Sequence, residues 1–177
     1  MTVVFPDGVF TAGRERVTFV PALTDMNNPT LTELSGASAI DIGCYLIKGQ
    51  WNPTADQATG TDERVCSAQA GTVLGQTTYS IENMQYVYDP QGAEAAANNL
   101  AYDTLKEGTK GYIIDRRGPL SDAAYAAAQK VDVYQVECGV QVRVPISTDA
   151  GDKFKIQQTL AVSPNVAQDA VIAAAGV

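Results

Sequence analysis

The sequence predicts an α+β fold that is mainly β: an antiparallel β-sandwich or half-barrel with one flanking helix. Three observations lead to this prediction. Apolar and polar residues alternate over several runs, most regularly in VDVYQVECGVQVRVPI, residues 131–146, which is typical of strands that bury one face. A single segment, Ala93–Lys106, has helical spacing of its apolar residues and ends at Gly108. Glycine and proline separate the runs, as in a turn-rich antiparallel protein.

Taken in order, the segments predict seven or eight strands. Residues 1–38 are expected to form an irregular N-terminal arm, and 39–177 the β-sandwich domain, with a long polar loop at 49–62 that carries the only tryptophan, Trp51. Ser121–Lys130 fits either a short helix or a compact loop, and Pro164-Asn165 predicts a turn. The strand predictions are residues 16–20, 39–48, 63–69, 77–88, 110–117, 131–146, 153–163 and 170–174.

The run 131–146 is longer than a usual strand. Either Gly139 interrupts it, or the sheet is larger than one small domain requires. Its alternation predicts that Val136, Val140 and Val142 are buried, and in the next strand Ile156 and Leu160, with the intervening polar side chains on the opposite face.

Length and charge limit the classes of function. A chain of 177 residues is long enough for one well-buried core. Twenty acidic against 12 basic residues give a net charge of −8, which argues against a surface that grips nucleic-acid phosphates. The sequence has neither a secretory leader nor an apolar run of membrane length, so we expect no membrane binding by this chain.

Catalytic and metal-binding patterns are lacking in the sequence. It contains no histidine, and Cys44, Cys66 and Cys138 are widely spaced, so they are expected to be buried thiols. The acidic pairs Asp62-Glu63 and Asp149/Asp152 fall in predicted turns or strand starts, where solvated carboxylates are normal. We therefore expect no enzyme activity, no metal and no cofactor, and a structural or binding role.

Arg116-Arg117 is the one basic cluster. Such pairs are usually solvated strand ends, and the alternative is an inter-subunit salt bridge to a carboxylate of a neighbouring subunit.

Five motifs, in their order and spacing, resemble the major tail tube proteins of long-tailed, non-contractile bacteriophages (siphophages), notably those infecting actinobacteria. The resemblance covers residues 28–163. The motifs are NNPTLTELSGASAIDIGCYL, DERVCSAQ, YSIENMQYVYDPQ, NNLAYDTLKEGTKGYIIDRRG and VDVYQVECGVQVRVP.

This resemblance implies two packed antiparallel sheets with a flanking helix, joined in a hexameric ring that shares one β-barrel. Stacked rings would form a hollow tube through which viral DNA passes without specific binding. The implied partners are further copies of the chain and the tape-measure, tail terminator and tail tip proteins, and the implied location is the virion tail, assembled in the host bacterial cytoplasm. The residues expected to face the lumen are Gln135, Glu137, Gln141, Arg143, Lys155, Gln157 and Thr159.

The loop 49–62 is expected to reach the next ring, through Trp51, Asn52, Asp56 and Gln57. Two alternatives stay open at this point: a tube subunit of a related injection or secretion apparatus, and a monomeric β-sandwich binding module, for which an exposed Trp51 would be the sign.

Overall fold

The computed structural model describes residues 7–94 and 96–174, and within them the chain forms eight β-strands and two short helices. Residues 1–6 of the predicted arm and 175–177 of the predicted domain lie outside the described residues. In chain order the elements are β1 Glu15–Val20, α1 Leu31–Ser35, β2 Ile40–Asp41, β3 Pro53–Asp62, β4 Gly71–Val87, α2 Leu100–Thr104, β5 Lys110–Arg117, β6 Lys130–Cys138, β7 Val142–Arg143 and β8 Lys155–Val171.

The strands form one antiparallel sheet in the order β2-β1-β5-β6-β8-β4-β3, with β7 paired to β8. Strand β8 connects the two halves, because its residues 155–161 pair with β4 and its residues 160–171 pair with β6. The predicted mainly-β, antiparallel fold is confirmed. The strand β1, from the segment predicted as an arm, lies inside the sheet between β2 and β5.

The segment that contains and follows β2 closes this sheet into a small barrel. On one side, the backbone N–H groups of Ile42 and Gly43 donate to the carbonyl of Val17 on β1 at 2.9 and 3.1 Å. On the other side, the N–H of Ile47 donates to Gln85 of β4 at 2.9 Å. Three strands separate β1 from β4 in the sheet order, so residues 40–47 bridge its two sides.

Side chains of the closed sheet fill two clusters on its opposite faces. Neighbours in sequence divide between them: Ile113 and Tyr134 belong to the barrel interior, and Ile114 and Val133 to the outer cluster. The interior is completed by α2, and the outer cluster is covered by Leu34 of α1 and Tyr125 of the 118–129 segment. The buried interior residues are Val17, Phe19, Ile42, Ile81, Met84, Tyr86, Ala101, Leu105, Ile113, Tyr134, Val136, Cys138, Ile156 and Leu160.

A buried polar network lies within the barrel. The hydroxyl of Tyr86 donates to Gln158 Oε1 at 3.0 Å, and Gln158 Nε2 donates to the carbonyls of Leu105 and Gly139 at 2.8 and 2.7 Å. Gln141 Nε2 donates to the Tyr86 hydroxyl at 2.8 Å. Burial raises the pKa of Tyr86 above its ordinary value, so its hydroxyl stays protonated and keeps its donor role.

The predicted helix 93–106 is reduced to α2, residues 100–104. Asn99 accounts for the late start: its side-chain oxygen accepts from the N–H of Asp89 at 2.7 Å, and its amide donates to the Asp89 carbonyl at 2.9 Å. A side chain that satisfies a distant backbone in this way favours a turn over a helix. Within the described part of 121–130 there are turns and no helix, which decides between the two possibilities for that segment.

The polar segment 49–62 was expected to be a loop, and this prediction was wrong. Most of it is β3, which pairs with the outer half of β4 as a long hairpin. The predicted strand 63–69 is the turn of that hairpin. Cys66 lies in this turn and Cys44 lies in the bridging segment, so both are exposed, and only Cys138 is buried as expected.

The predicted turn at Pro164-Asn165 is absent, because β8 runs through it. The register between β6 and β8 shifts between Tyr134↔Val166 and Val136↔Val162, so the proline falls in an irregular stretch of the ladder. A residue without an N–H is tolerated there.

Candidate assembly surfaces

The outer face of the barrel carries a band of polar side chains across β6 and β8. Gln135 and Glu137 lie on β6, and Lys155, Gln157 and Thr159 lie on β8, while Ile156, Gln158 and Leu160 between them are buried. The register Glu137↔Ala161 and Gln85↔Gln157 places all five polar residues on one side of the sheet. We call these five side chains the polar band.

Charges in the polar band are paired. Lys110 Nζ lies 3.4 Å from Glu137, and Lys155 Nζ lies 2.6 Å from Asp152. The hydrogen bond from Lys155 lowers the pKa of Asp152, so this acid is ionised at neutral pH. Because each of these lysines faces a carboxylate, the band is close to neutral and rich in hydrogen-bonding groups.

Gln141 and Arg143 do not belong to the polar band, because the alternation changes phase at Gly139. The regular strand β6 ends at Cys138, and a Cβ added at Gly139 would lie 2.6 Å from the carbonyl oxygen of Thr159. Beyond this close approach, Val142 pairs with Gln157 and Arg143 with Ile156. One displaced residue moves every later side chain to the other face.

Two sequence predictions fail for this reason. Val140 and Val142, expected to be buried, are 59% and 56% exposed. Gln141, expected to face outward, turns toward the barrel network and also donates to the carbonyl of Tyr102 at 2.9 Å. Val136, Ile156 and Leu160 are buried as predicted.

The β3–β4 hairpin projects from the barrel and is exposed on both faces. Nearly all of β3 and residues 71–76 of β4 are exposed, including Val73 and Leu74 at 47% and 71%. Ten residues of β3 extend roughly 30 Å at about 3.4 Å each. A two-stranded ribbon without a buried face is marginally stable alone, so this hairpin is the clearest candidate for a surface completed by a neighbour.

Of the four residues predicted to contact the next ring, Asn52, Asp56 and Gln57 are exposed at the base of the hairpin. Trp51 is not an exposed anchor. It is half-buried against the barrel interior, edge-on to Tyr134 with ring centroids 6.3 Å apart. Its Nε1 donates to Asp115 Oδ2 at 3.2 Å.

Arg116 was predicted to form a salt bridge between subunits, and this was wrong. Its side chain is fully buried within its own chain, where its guanidinium donates to the carbonyls of Leu120, Ala123 and Ala124 at 2.7, 2.8 and 3.0 Å. It also lies 4.9 Å from the ring centroid of Tyr125. Arg116 therefore holds the 118–129 segment onto the sheet.

Arg117 forms two ion pairs within its own chain, and its side chain is 58% exposed. Its Nη2 lies 2.6 Å from Asp115 Oδ2 and its Nε 3.5 Å from Glu15. Asp115 is 1% exposed, and burial raises its pKa despite the hydrogen bond from Trp51 and the charge of Arg117. Sequence reasoning missed Asp115. The signal was an acid within the apolar run YIID, which requires a partner if it is buried.

Among residues 7–94 and 96–174, no cluster of three or more histidine, cysteine, aspartate or glutamate side chains could hold a metal ion. No helix in this part of the chain is long and apolar enough to cross a membrane.

A closed antiparallel barrel with a filled interior, a polar outer band and a projecting hairpin defines a structural β-barrel subunit. Comparison with known proteins gives the family. The family model described as phage tail tube protein matches residues 4–175, so the chain belongs to the phage tail tube protein family and is a structural subunit of the tail tube. It is thus a component of the virion tail and assembles with other tail components.

A chain in the cryo-EM structure of the anti-feeding prophage baseplate, 6-fold symmetrised, has a similar fold, with a TM-score of 0.53. The two chains are 8% identical, and the match covers 93% of this chain and 95% of that chain. At this identity the likeness concerns the fold alone. None of the curated proteins compared matches the sequence.

Proposed function

We propose that this chain forms hexameric rings that stack into the tail tube of a long-tailed, non-contractile phage, with the polar band facing a lumen through which viral DNA passes. The observation that carries the proposal is the polar band itself. It is a partly exposed, nearly neutral face on long strands whose other face is packed.

A near-neutral lining suits DNA transit. Lysine or arginine contacts to phosphates hold nucleic acid by releasing counterions. Lys155 of the band pairs with Asp152, and Lys110 beside the band pairs with Glu137. The proposed lining consists of Gln135, Glu137, Lys155, Gln157 and Thr159. Gln141 and Arg143 are left out because the strand phase changes before them.

The hairpin is proposed to make the contact between rings. Its strands have exposed faces, and β3 has an unpaired outer edge, a combination that favours association with another chain. The 6-fold symmetrised baseplate that contains a similar fold is consistent with six copies in a ring. Further proposed partners are the tape-measure, tail terminator and tail tip proteins, with assembly in the host bacterial cytoplasm and no catalytic role.

The hairpin proposal is tested by replacing residues 57–77 with a two-residue Asn-Gly turn. Asp56 and Thr78 are direct cross-strand partners, so a turn placed there preserves the ladder below it. The subunit is expected to stay folded, with a wild-type circular dichroism spectrum, but to form no stacked tubes in negative-stain electron microscopy. Full-length tubes from this variant would contradict the proposed role of the hairpin.

The lumen proposal is tested separately with Thr159→Lys in assembled tubes. Six added positive charges per ring should make the tubes retain linear DNA at low salt, and retention should fall steeply as salt rises. The matched control is Ala97→Lys, an exposed position just before α2, which packs on the interior face of the sheet and not on the outer face that carries the polar band. If both variants retain DNA equally, or neither does, Thr159 does not line the lumen.

A second candidate is a tube subunit of a related injection apparatus, which the fold likeness to a baseplate chain favours. Tubes of fixed length carrying DNA in the virion would distinguish the phage tail from it. The monomeric binding module was suggested by an exposed Trp51. This side chain is half-buried against the barrel interior, so the suggestion no longer has that support.

A further inference from the structure

The projecting hairpin is joined to the barrel at two places. The first is β4, which continues from the hairpin into the barrel wall. Its pairing with β8 is irregular between Ile81 and Met84, and Asn83 there has a positive φ of 57°. This irregularity is a point at which a ribbon held by one strand can change direction. The second attachment must therefore fix the orientation.

That second attachment is Trp51, two residues before β3 begins at Pro53. Its indole N–H donates to Asp115 Oδ2 at 3.2 Å, and the same oxygen accepts from Arg117 at 2.6 Å. Asp115 lies on the central strand β5, between β1 and β6, so it is held on both sides by hydrogen-bonded strands. The indole ring also packs edge-on against Tyr134 of β6.

We infer that Trp51, Asp115 and Arg117 form a clamp that sets the direction in which the β3–β4 hairpin leaves the barrel, and that Trp51 is thereby a positioning residue for tube assembly. This inference rests on the proposed function, in which the hairpin contacts the next ring.

The burial of the Asp115 carboxylate is energetically unfavourable, which supports a role for the clamp beyond stability. Asp115 is 1% exposed, and its Oδ1 has no hydrogen-bond partner. Other acids share its surroundings: Asp132 is its direct cross-strand partner on β6, and Glu15 pairs with Arg117 on β1. Replacing such buried ionic groups with apolar residues often leaves stability unchanged or higher. What the carboxylate adds is a directional acceptor for the Trp51 N–H.

The decisive variant is Trp51→Phe, which keeps an aromatic ring against Tyr134 but removes the N–H donor. The subunit is expected to unfold within a few degrees of the wild-type midpoint, while the rate of tube growth, followed by light scattering, falls at least tenfold. Tyr88→Phe is the matched control, because Tyr88 stacks on Tyr102 away from the hairpin base, and it should grow tubes at the wild-type rate.

A second variant, Asp115→Leu, removes the acceptor instead of the donor, so it tests the clamp independently of Trp51→Phe. It also gives a spectroscopic readout. Trp51 is the only tryptophan, so its fluorescence anisotropy in unassembled subunits reports on this site alone. Loss of the carboxylate acceptor should lower the anisotropy and slow tube growth, without lowering the midpoint of unfolding.

Two results would overturn the clamp: tube growth at the wild-type rate in Trp51→Phe, or unchanged anisotropy and growth in Asp115→Leu. The variant in which an Asn-Gly turn replaces residues 57–77 distinguishes a wrong clamp from a wrong proposed function. If that replacement stops assembly while both clamp variants assemble normally, the hairpin contact stands and the clamp does not.

Discussion

Replacing Arg116 with methionine should destabilise the subunit itself before any effect on assembly is seen. Methionine retains much of the length of the arginine stem but removes the guanidinium. The carbonyl of Ala124 then loses its donor, and those of Leu120 and Ala123 each lose one of two, because they still accept from the N–H of Ala123 and from Arg16. Tyr125 loses one of its two cationic neighbours and keeps Arg16.

The expected loss is about 3 kcal/mol in the free energy of unfolding. Hydrogen bonds to a charged group contribute about 1.5–3 kcal/mol each, which sets an upper range for three bonds. The loss is smaller than their sum, because Leu120 and Ala124 are exposed residues whose carbonyls can regain water when the segment loosens. For a chain of this length, about 3 kcal/mol corresponds to a decrease of roughly 6–12 °C in Tm.

Urea unfolding of the unassembled subunit, followed by circular dichroism, measures this change. Arg143→Met is the control, because Arg143 is exposed on β7 and its replacement should cost less than about 0.5 kcal/mol. Equal losses for the two variants, or a loss under about 1 kcal/mol for Arg116→Met accompanied by failed assembly, would refute the intrachain role of Arg116 and restore the salt bridge between subunits.

Two further predictions concern ionisable side chains whose pKa values are shifted, Glu33 and Cys138. Hydrogen bonds from Thr30 and Thr24 outweigh burial and lower the pKa of Glu33, in the capping box of α1, from 4.5 to about 2. Its ionised form therefore stabilises the fold above about pH 4.5, so the stability deficit of Glu33→Gln in urea titrations should be full at pH 7 and vanish as the pH falls toward 2. Burial raises the pKa of the Cys138 thiol to about 11, while Cys44 and Cys66 are exposed. A thiol reagent at pH 8 should label two cysteines in the native subunit and the third only after unfolding; labelling of all three at one rate would contradict the buried position of Cys138.

Hydrophobic alternation predicted the strands that build the barrel wall. The predicted strand 110–117 coincides with β5, and the faces predicted for β6 up to Cys138 and for the first half of β8 agree with the observed burial. These strands have one face against a packed interior, so burial imposes a period of two on their sequences. Gln135, Glu137 and Thr159 lie on the face opposite the packed interior for this reason.

The segments whose structure was predicted wrongly do not show this period of two. Both strands of the hairpin are exposed on both faces, so their sequences give no burial signal and Pro53–Asp62 resembles a loop. The phase change at Gly139 depends on the approach of the Thr159 carbonyl, which comes from a strand 20 residues away. Trp51 was misplaced because its partner Asp115 is distant in sequence. Arg116 was misplaced because the 118–129 segment folds back over its side chain.

The continuity of β4 has a mechanical consequence. This strand of 17 residues belongs to the hairpin at one end and to the barrel wall at the other, where it pairs with β8. Hydrogen bonds of an antiparallel ladder lie perpendicular to the strands. A pull along the hairpin therefore loads the bonds between β4 and β8 in shear, so that they share the force and must break together. A pull across the strand would open them one at a time.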